Sequence, residues 1–329
     1  KIIENSNSNI QVKAIKDYNN SGVSDEEYVK NMAYLLQNDS VYGAFPSKID
    51  VDGTNIIVSS KKIPVFLEKD ITSVDWNKLE CDILVESSGT IKNIDNVKNC
   101  MGKRVKKIII TRGVENVEFT MLLGVNDKLY DKDKHNIISS STCTGNAIAP
   151  IINFIERNYG INNGFLSTIH PVLSNEKMID GFHKSFTLGR SHRNIKLTPT
   201  SITKSTLSVL PKLKGRLNEV SLSYRVPTDI VSAVYGVLDL KKSPKTNDIL
   251  FALKEETVNG PLNGIVDLCE GVFGHSKVSL DYLADTHSAI IDKNWIMCKE
   301  NLLSLHVWHD NEYGYCSRVY DIINIVSGQ

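Results

Sequence analysis

Two hydrophobic periods alternate along the first half of the chain. In Ile10-Gln11-Val12-Lys13-Ala14-Ile15 apolar and polar side chains take turns, and the run stops at Asp17, which predicts a strand. Residues 26–37 then carry Val29, Met32, Ala33 and Leu36 at i, i+3, i+4 and i+7, the stripe of an amphipathic helix. Residues 55–59 and 64–67 read as a β pair, 82–86 as a buried strand and 94–101 as a helix. The apolar run Lys107-Ile108-Ile109-Ile110-Thr111 is continuous, as in a parallel sheet covered on both faces. Strands and helices in this order predict a doubly wound α/β domain.

After Ile137-Ile138 the pattern changes. A helix over 145–159 places Ile148, Ile151, Ile152 and Ile155 on one stripe, and strands follow at 165–169, 220–226, 230–240, 288–292 and 303–308. Alternation in Ile230-Val231-Ser232-Ala233-Val234-Tyr235 and in Leu303-Ser304-Leu305-His306-Val307 implies a sheet with one packed and one partly polar face. The second half is therefore expected to be an α+β domain with a mainly antiparallel sheet. Residues 180–200 are basic and weakly periodic, and a loop of that length is functional or interfacial.

Composition narrows the function. At 329 residues the chain holds one large or two ordinary domains. Lys+Arg and Asp+Glu tie at 38, so the cationic excess that nucleic acid or an anionic membrane requires is missing. A small anionic ligand in a local pocket stays open. No apolar run approaches the ~20 residues that span a bilayer, so a soluble protein is expected. The six cysteines, Cys81, Cys100, Cys143, Cys269, Cys298 and Cys316, form no CxxC pair and no close Cys/His cluster, so no metal site and no disulfide framework is expected. Free thiols in a reducing, intracellular compartment follow.

One thiol stands apart. In Ser139-Ser140-Ser141-Thr142-Cys143-Thr144-Gly145-Asn146 a Ser/Thr run ends a strand and opens a helix, which places Cys143 at the helix N-terminus. Backbone N–H groups and the dipole there favour a thiolate and could hold an oxyanion. The same octet also reads as an ordinary Ser/Thr cap with an incidental cysteine. The second element is Phe165-Leu166-Ser167-Thr168-Ile169-His170-Pro171, a strand ending in a histidine. Alone, such a histidine is more often structural; with Cys143 it makes the usual unit of thiolate chemistry.

At these residues the chain resembles the phosphorylating glyceraldehyde-3-phosphate dehydrogenase family. The similarity runs through Ser141 to Asn146, Thr168-Ile169-His170, Ile179-Asp180-Gly181, Tyr224-Arg225-Val226-Pro227-Thr228, Asp285-Thr286-His287-Ser288 and Trp308-His309-Asp310-Asn311-Glu312-Tyr313-Gly314-Tyr315. It implies a Rossmann-type NAD domain formed by residues 1–142 and 310–329 and a catalytic domain formed by 143–309. Cys143 is then the nucleophile and His170 the general base, in a thiohemiacetal and thioester mechanism that ends in phosphorolysis. The implied cofactor residues are Asp17, Lys69, Ser88, Gly89, Thr111, Asn311 and Tyr315. Asp17 after the first strand suits a ribose diol and repels a 2′-phosphate, which favours NAD over NADP, although Lys16 stands beside it. Thr142, Thr144, Arg190, Thr200 and Arg225 are implied for the substrate and inorganic phosphate, with Ser201 an equal match to Thr200. The family further implies a cytoplasmic homotetramer in glycolysis, without nucleic-acid or membrane partners. The apolar Phe182, Phe186 and Leu188 suit either a subunit interface or packing within their own subunit.

Two departures qualify the resemblance. Leu173 stands where the family usually offers a threonine to the substrate's phosphate, a feature shared with the related dehydrogenase of erythrose 4-phosphate. No glycine-rich turn precedes Ile10, and residues 1–5 read as the tail of the helix that should follow such a turn. The expectation is that about 20 residues, one strand, its turn and most of a helix, precede Lys1. The alternative is a degenerate paralogue that no longer binds NAD.

Overall fold

A computed structural model of the chain describes residues 9–328. The helix tail expected at residues 1–5 lies outside them. Two compact units divide the chain: Lys1–Phe119 with Asp131–Ser140 and Val319–Gln329, and Thr120–Tyr130 with Ser141–Arg318.

In the first unit β1 (Ile15–Lys16) runs parallel to β4 (Lys61–Phe66), which continues antiparallel through β3 (Asn55–Val58) to β2 (Ile49–Asp52). The strand predicted over 10–15 thus forms a ladder only at its end, through Ile15 with Val65 and Lys16 with Phe66. Alternation fixes which side chains share a face, not how far a partner strand accompanies them. Helix α1 (Asp25–Gln37) is opened by Ser24, whose Oγ accepts the Glu27 N–H, and by Asp25, Glu26 and Glu27 in its first turn. Its Val29 and Ala33 pack with Ile56, Val58 and Val65. A second sheet holds β5 (Ile83–Glu86), β6 (Lys107–Ile110) and β7 (Ile137–Ser139), all parallel. Ile108, Ile109 and Ile110 are buried, as a strand covered on both faces requires. The helix expected over 94–101 is an α-helical Ile91–Asn96 followed by a 3₁₀ turn at Val97–Cys100.

The second unit is built on one sheet. Its strand order is β9 (Lys196–Thr200), β10 (Ser221–Arg225), β8 (Ile161–His170), β11 (Ser232–Leu240), β15 (Leu302–His309), β13 (Ala289–Asp292) and β12 (Val266–Cys269), with β14 (Met297–Lys299) also on β15. Only β8 with β10 and β12 with β13 pair parallel; the other pairs are antiparallel. On the inner face Leu166, Val234, Leu238, Leu303, Leu305 and Val307 pack against α2 (Cys143–Asn158). The α2 stripe of Ile148, Ile151, Ile152 and Ile155 is buried as expected, and so are Ala147, Ala149, Pro150 and Phe154, so this helix is enclosed on nearly every side. Helices α3 (Ile202–Val209), α4 (Thr246–Val258) and α5 (Tyr313–Ser327) complete the described elements used below.

Strand β9 lies inside the stretch read from sequence as loop. It is the end strand of the sheet, where the Pro199 ring costs no ladder bond on the open side. The rest of that stretch exposes Phe182 and Phe186, at 91% and 88%, so neither packs within its own subunit.

Ile152 tests the core. Replacing this fully buried side chain by alanine is expected to cost about 2–5 kcal/mol, read as a lower urea midpoint at unchanged slope; a change well below about 1 kcal/mol would place Ile152 outside the packed face.

Candidate active site

A strained turn precedes Cys143. Ser141 has φ +60, a left-handed backbone that costs a non-glycine residue of order 1–3 kcal/mol. Thr142 returns to extended geometry, φ −115 and ψ 161, and caps α2 by accepting the Gly145 N–H on Oγ1 at 3.1 Å. The same hydroxyl donates to Ser205 Oγ of α3 at 3.0 Å. A Cβ on Gly145 would come within 2.8 Å of the Ser205 Cβ, so glycine is what lets α2 and α3 approach beside the cysteine. Cys143 is the first helical residue and is partly exposed, whereas Cys81, Cys100 and Cys269 are buried.

Sheet register supplies the facing groups. His170 ends β8 and is the cross-strand partner of Arg225 in β10, and Arg225 is the partner of Lys196 in β9. Partners in register point to one side of a sheet, so three basic side chains form a row at one end of the inner face, with the hydroxyls of Thr168, Ser223 and Thr198 at the next same-face positions. On the far flank Ser232 of β11 is the partner of His309 in β15. His170 and His309 are buried.

Hydrogen bonds set the roles open to the row. His170 Nδ1 lies 2.9 Å from the Pro171 carbonyl, which can only accept, so Nδ1 carries the proton and Nε2 the lone pair. Burial, and then the Arg225 charge, push the His170 pKa down to about 4, against the Pro171 bond and Glu176. Burial pushes the Cys143 thiol up; the Thr144 and Cys143 N–H groups and Arg225 pull it back without winning. The lowered thiol expected at a helix start is thus overturned: thiol and imidazole rest neutral. Burial and then the neighbouring His170 drive His309 down to about 3, and its Nε2 has no hydrogen-bond partner.

Behind the row sits a carboxylate that sequence reasoning missed. Glu176 Oε2 accepts from Lys196 Nζ at 2.6 Å and Ser191 Oγ at 2.8 Å, while Oε1 faces Arg225 Nε at 3.9 Å. Arg225 Nη1 reaches the Pro171 carbonyl at 3.4 Å. The only signal in the sequence was a Glu just before the basic stretch and a Lys within it, which spacing alone could not pair.

Other expected phosphate residues are arranged differently. Thr144 is buried beside Thr142, their hydroxyls 3.4 Å apart. Arg190 is exposed and pairs with Asp180 at 3.2 Å rather than with the row. Thr200 ends β9 opposite Ser221, two same-face positions beyond Lys196. Leu173 is 41% exposed and offers no donor.

Asn311 stands on a turn built by Asp310. Asp310 Oδ1 accepts the N–H groups of Glu312 and Tyr313, and Oδ2 that of Ala284. Asn311 Oδ1 accepts from Ser232 Oγ at 3.1 Å, which leaves its amide N–H₂ as the outward end. Val231, just before Ser232, has φ +66, a second strained residue at this end of the sheet. Tyr315 donates to the Ser141 carbonyl at 3.1 Å. Gly314 is required because a Cβ there would meet the His287 carbonyl at 2.6 Å.

In the first unit the expected residues follow strand ends in two groups, one on each sheet. Asp17 follows β1; its Oδ1 accepts the Tyr18 N–H and its Oδ2 the Tyr28 hydroxyl. Lys69 Nζ lies 5.7 Å from the centre of the Tyr18 ring. Ser88 N–H donates to Glu86 Oε1 at 3.0 Å, and Thr111 donates through N–H and Oγ1 to the Glu86 carbonyl. Gly89 has φ +68 with open space where a Cβ would stand.

Residues 142–311 match the family of the glyceraldehyde 3-phosphate dehydrogenase C-terminal domain, and residues 3–94 that of its NAD binding domain. The chain is similar to "Glyceraldehyde-3-phosphate dehydrogenase 1" of Kluyveromyces marxianus, 35% identical over 90% of this chain and 88% of the relative. "Glyceraldehyde-3-phosphate dehydrogenase" of Priestia megaterium is 33% identical, and that of Geobacillus stearothermophilus 32%, each over 98% of this chain and 92% of the relative.

Both histidines rest neutral in the fold down to about pH 4 and bind protons at higher pH once it opens. Between pH 6.5 and about 4 the unfolded chain binds the protons that the fold refuses, so stability falls as pH drops through that window. His309→Phe is expected to make urea midpoints between pH 7.5 and 4 less acid-sensitive, by about one proton at the low end. An unchanged slope would mean that His309 is protonated in the folded protein.

Proposed function

The chain belongs to the glyceraldehyde 3-phosphate dehydrogenase family, and we propose that it oxidises D-glyceraldehyde 3-phosphate, with inorganic phosphate, to 1,3-bisphosphoglycerate through a covalent intermediate on Cys143. It is an NAD-binding dehydrogenase. The observation that carries the proposal is Cys143 opening α2 on the inner side of a row that ends in a neutral His170 beside Arg225.

The residues at the strand ends fit a dinucleotide. Gly89 leaves open space, Asp17 presents a carboxylate for a ribose diol, and Ser88 and Thr111 are held in place by Glu86. Lys69 is assigned to the adenine side, the Asn311 amide to the carboxamide and Tyr315 to packing near the ring. NAD, when bound, supplies the acceptor for the hydride lost from the hemiacetal carbon.

The protein's own groups do the rest. His170 Nε2 takes the thiol proton as Cys143 sulfur attacks the aldehyde carbon, and returns it to the new oxygen, giving a thiohemiacetal. The N–H groups that open α2 hold the oxygen while it is negative. As the carbon is oxidised, Nε2 removes the hydroxyl proton and a thioester remains. Arg225, Thr142, Thr144, Thr200 and Arg190 are assigned to the substrate's phosphate and to inorganic phosphate. A phosphate oxygen then attacks the thioester carbon, the C–S bond breaks, and the acyl phosphate leaves with Cys143 restored.

Leu173 favours one competing substrate. With no donor at that position the C3 phosphate loses a hydrogen bond, and erythrose 4-phosphate becomes the alternative. We place the reaction in cytoplasmic glycolysis; no helix among the described residues is long and apolar enough to cross a membrane. The outer sheet face exposes Phe165, Leu222, Tyr224 and Tyr235, which supports a homotetramer together with Phe182 and Phe186.

NADH formation from the triose phosphate is expected to require inorganic phosphate and to fall by roughly a thousandfold or more in Cys143→Ser. Activity that survives that change refutes the covalent route, and a higher kcat/KM for erythrose 4-phosphate replaces the substrate. Sedimentation is expected to give a tetramer; a monomer at micromolar concentration would remove the proposed assembly.

A further inference from the structure

The Glu176 network is more than a buried ion pair. The Lys196 and Glu176 side chains are 4% and 1% exposed and that of Arg225 is 14%, so two cations and one anion are enclosed together. Lys196 and Arg225 are cross-strand partners, and without a carboxylate between them two like charges would face each other on adjacent strands. Burial pushes the Glu176 carboxyl up, but hydrogen bonds from Lys196 and Ser191 and the charges of Lys196 and Arg225 outweigh it and hold the group below its ordinary value. It is ionised at working pH.

Geometry ties this pair to the chemistry. Glu176 Oε1 faces the Nε side of Arg225 while the Pro171 carbonyl takes Nη1, and that carbonyl also takes His170 Nδ1–H. The guanidinium is therefore oriented from two sides. We propose that Glu176 is a positioning residue, which orients Arg225 beside Cys143 and His170 and, offset by Lys196, sets the net charge under which the thiol and imidazole react. The inference rests on the assignment of Cys143 and Arg225 to the reaction.

Among the described residues, the charged and titratable groups beside Cys143 and His170 are Arg225 from β10, Glu176 from the loop after β8 and His309 from β15, which stays neutral, with Lys196 of β9 behind them on Glu176. Glu176, Lys196 and Arg225 together contribute one net positive charge. Glu176→Gln raises this to two, Lys196→Met lowers it to zero, and the double variant restores one. A role through charge must follow this order, whereas a role in packing alone would not.

The readout is the pH dependence of iodoacetamide alkylation of Cys143 in the full chain, followed by mass spectrometry on the peptide that contains it. Cys298, which is hydrogen-bonded to Thr246 and Glu300, serves as an internal reference. The alkylation midpoint is expected to move down by roughly one pH unit in Glu176→Gln, up by a similar amount in Lys196→Met, and back to the parental value in the double variant. KM for inorganic phosphate is expected to rise in both variants that lack the carboxylate, with the smaller change in kcat. Glu176→Gln leaves Lys196 buried without its anion, so if it does not fold, Lys196→Met and the double variant still decide the matter. Midpoints that ignore the charge order, or a double variant that stays shifted, overturn the proposal. Alkylation needs no turnover, so the ordered midpoints with an inactive parent would instead refute the proposed reaction while leaving the charge network standing.

Discussion

A guanidinium enclosed at the end of a sheet must have its donors met and its charge opposed, and the second unit is arranged around that requirement at Arg225. The Pro171 carbonyl takes one N–H, and Glu176 faces another edge at 3.9 Å. Leaving such a charge unpaired would cost several kcal/mol, more than most single contacts in a domain supply. The consequence reaches the neighbouring strand, because the carbonyl that meets Arg225 also fixes the His170 tautomer. One backbone oxygen thereby decides which ring nitrogen is available as a base.

Two opposing effects act on Cys143, and their sizes explain which wins. A helix N-terminus favours an anion by about 0.3–1 kcal/mol at an exposed site and by about 2 kcal/mol in a partly buried one. Removing a charged group from water costs several kcal/mol after relaxation. Burial therefore leads, and the Thr144 N–H and Arg225 only moderate it. The same balance lowers His170, where burial and Arg225 act in one direction. A neutral thiol beside a neutral imidazole holds a transferable proton without a resting ion pair, and the groups that stabilise an anion are already aimed when sulfur attacks carbon.

Sequence pattern reached the parts of this site whose cause is local. The Ser/Thr run before Cys143 encodes a cap, and α2 begins within two residues of the expected start. The strand before His170 shows its period and ends at that residue. Glu176 and Lys196 escaped because their partnership depends on β9 lying against β10, and β9 carries a lysine and a proline instead of an alternating apolar pattern. His309 lies just past the strand read over 303–308, and only the β11 to β15 register places it by Ser232. Composition hid the strain at Ser141 and Val231 as well, since neither is a residue type that announces a left-handed backbone.

Those two strained residues show what the fold stabilises. Ser141 and Val231 each sit one position before a group the site uses, the Thr142 cap that leads into Cys143 and the Ser232 hydroxyl that holds Asn311. Each left-handed residue is unfavourable by itself, so its conformation has to be imposed from outside. For Ser141 the constraints are the Tyr315 hydroxyl on its carbonyl and α2 buried on nearly every side behind it. For Val231 they are its own burial and the β11 ladder that begins at the next residue. A core this rigid lets the turn point a thiol at one place, whereas a looser helix would relieve the strain by rotating Cys143 away from the end of the row.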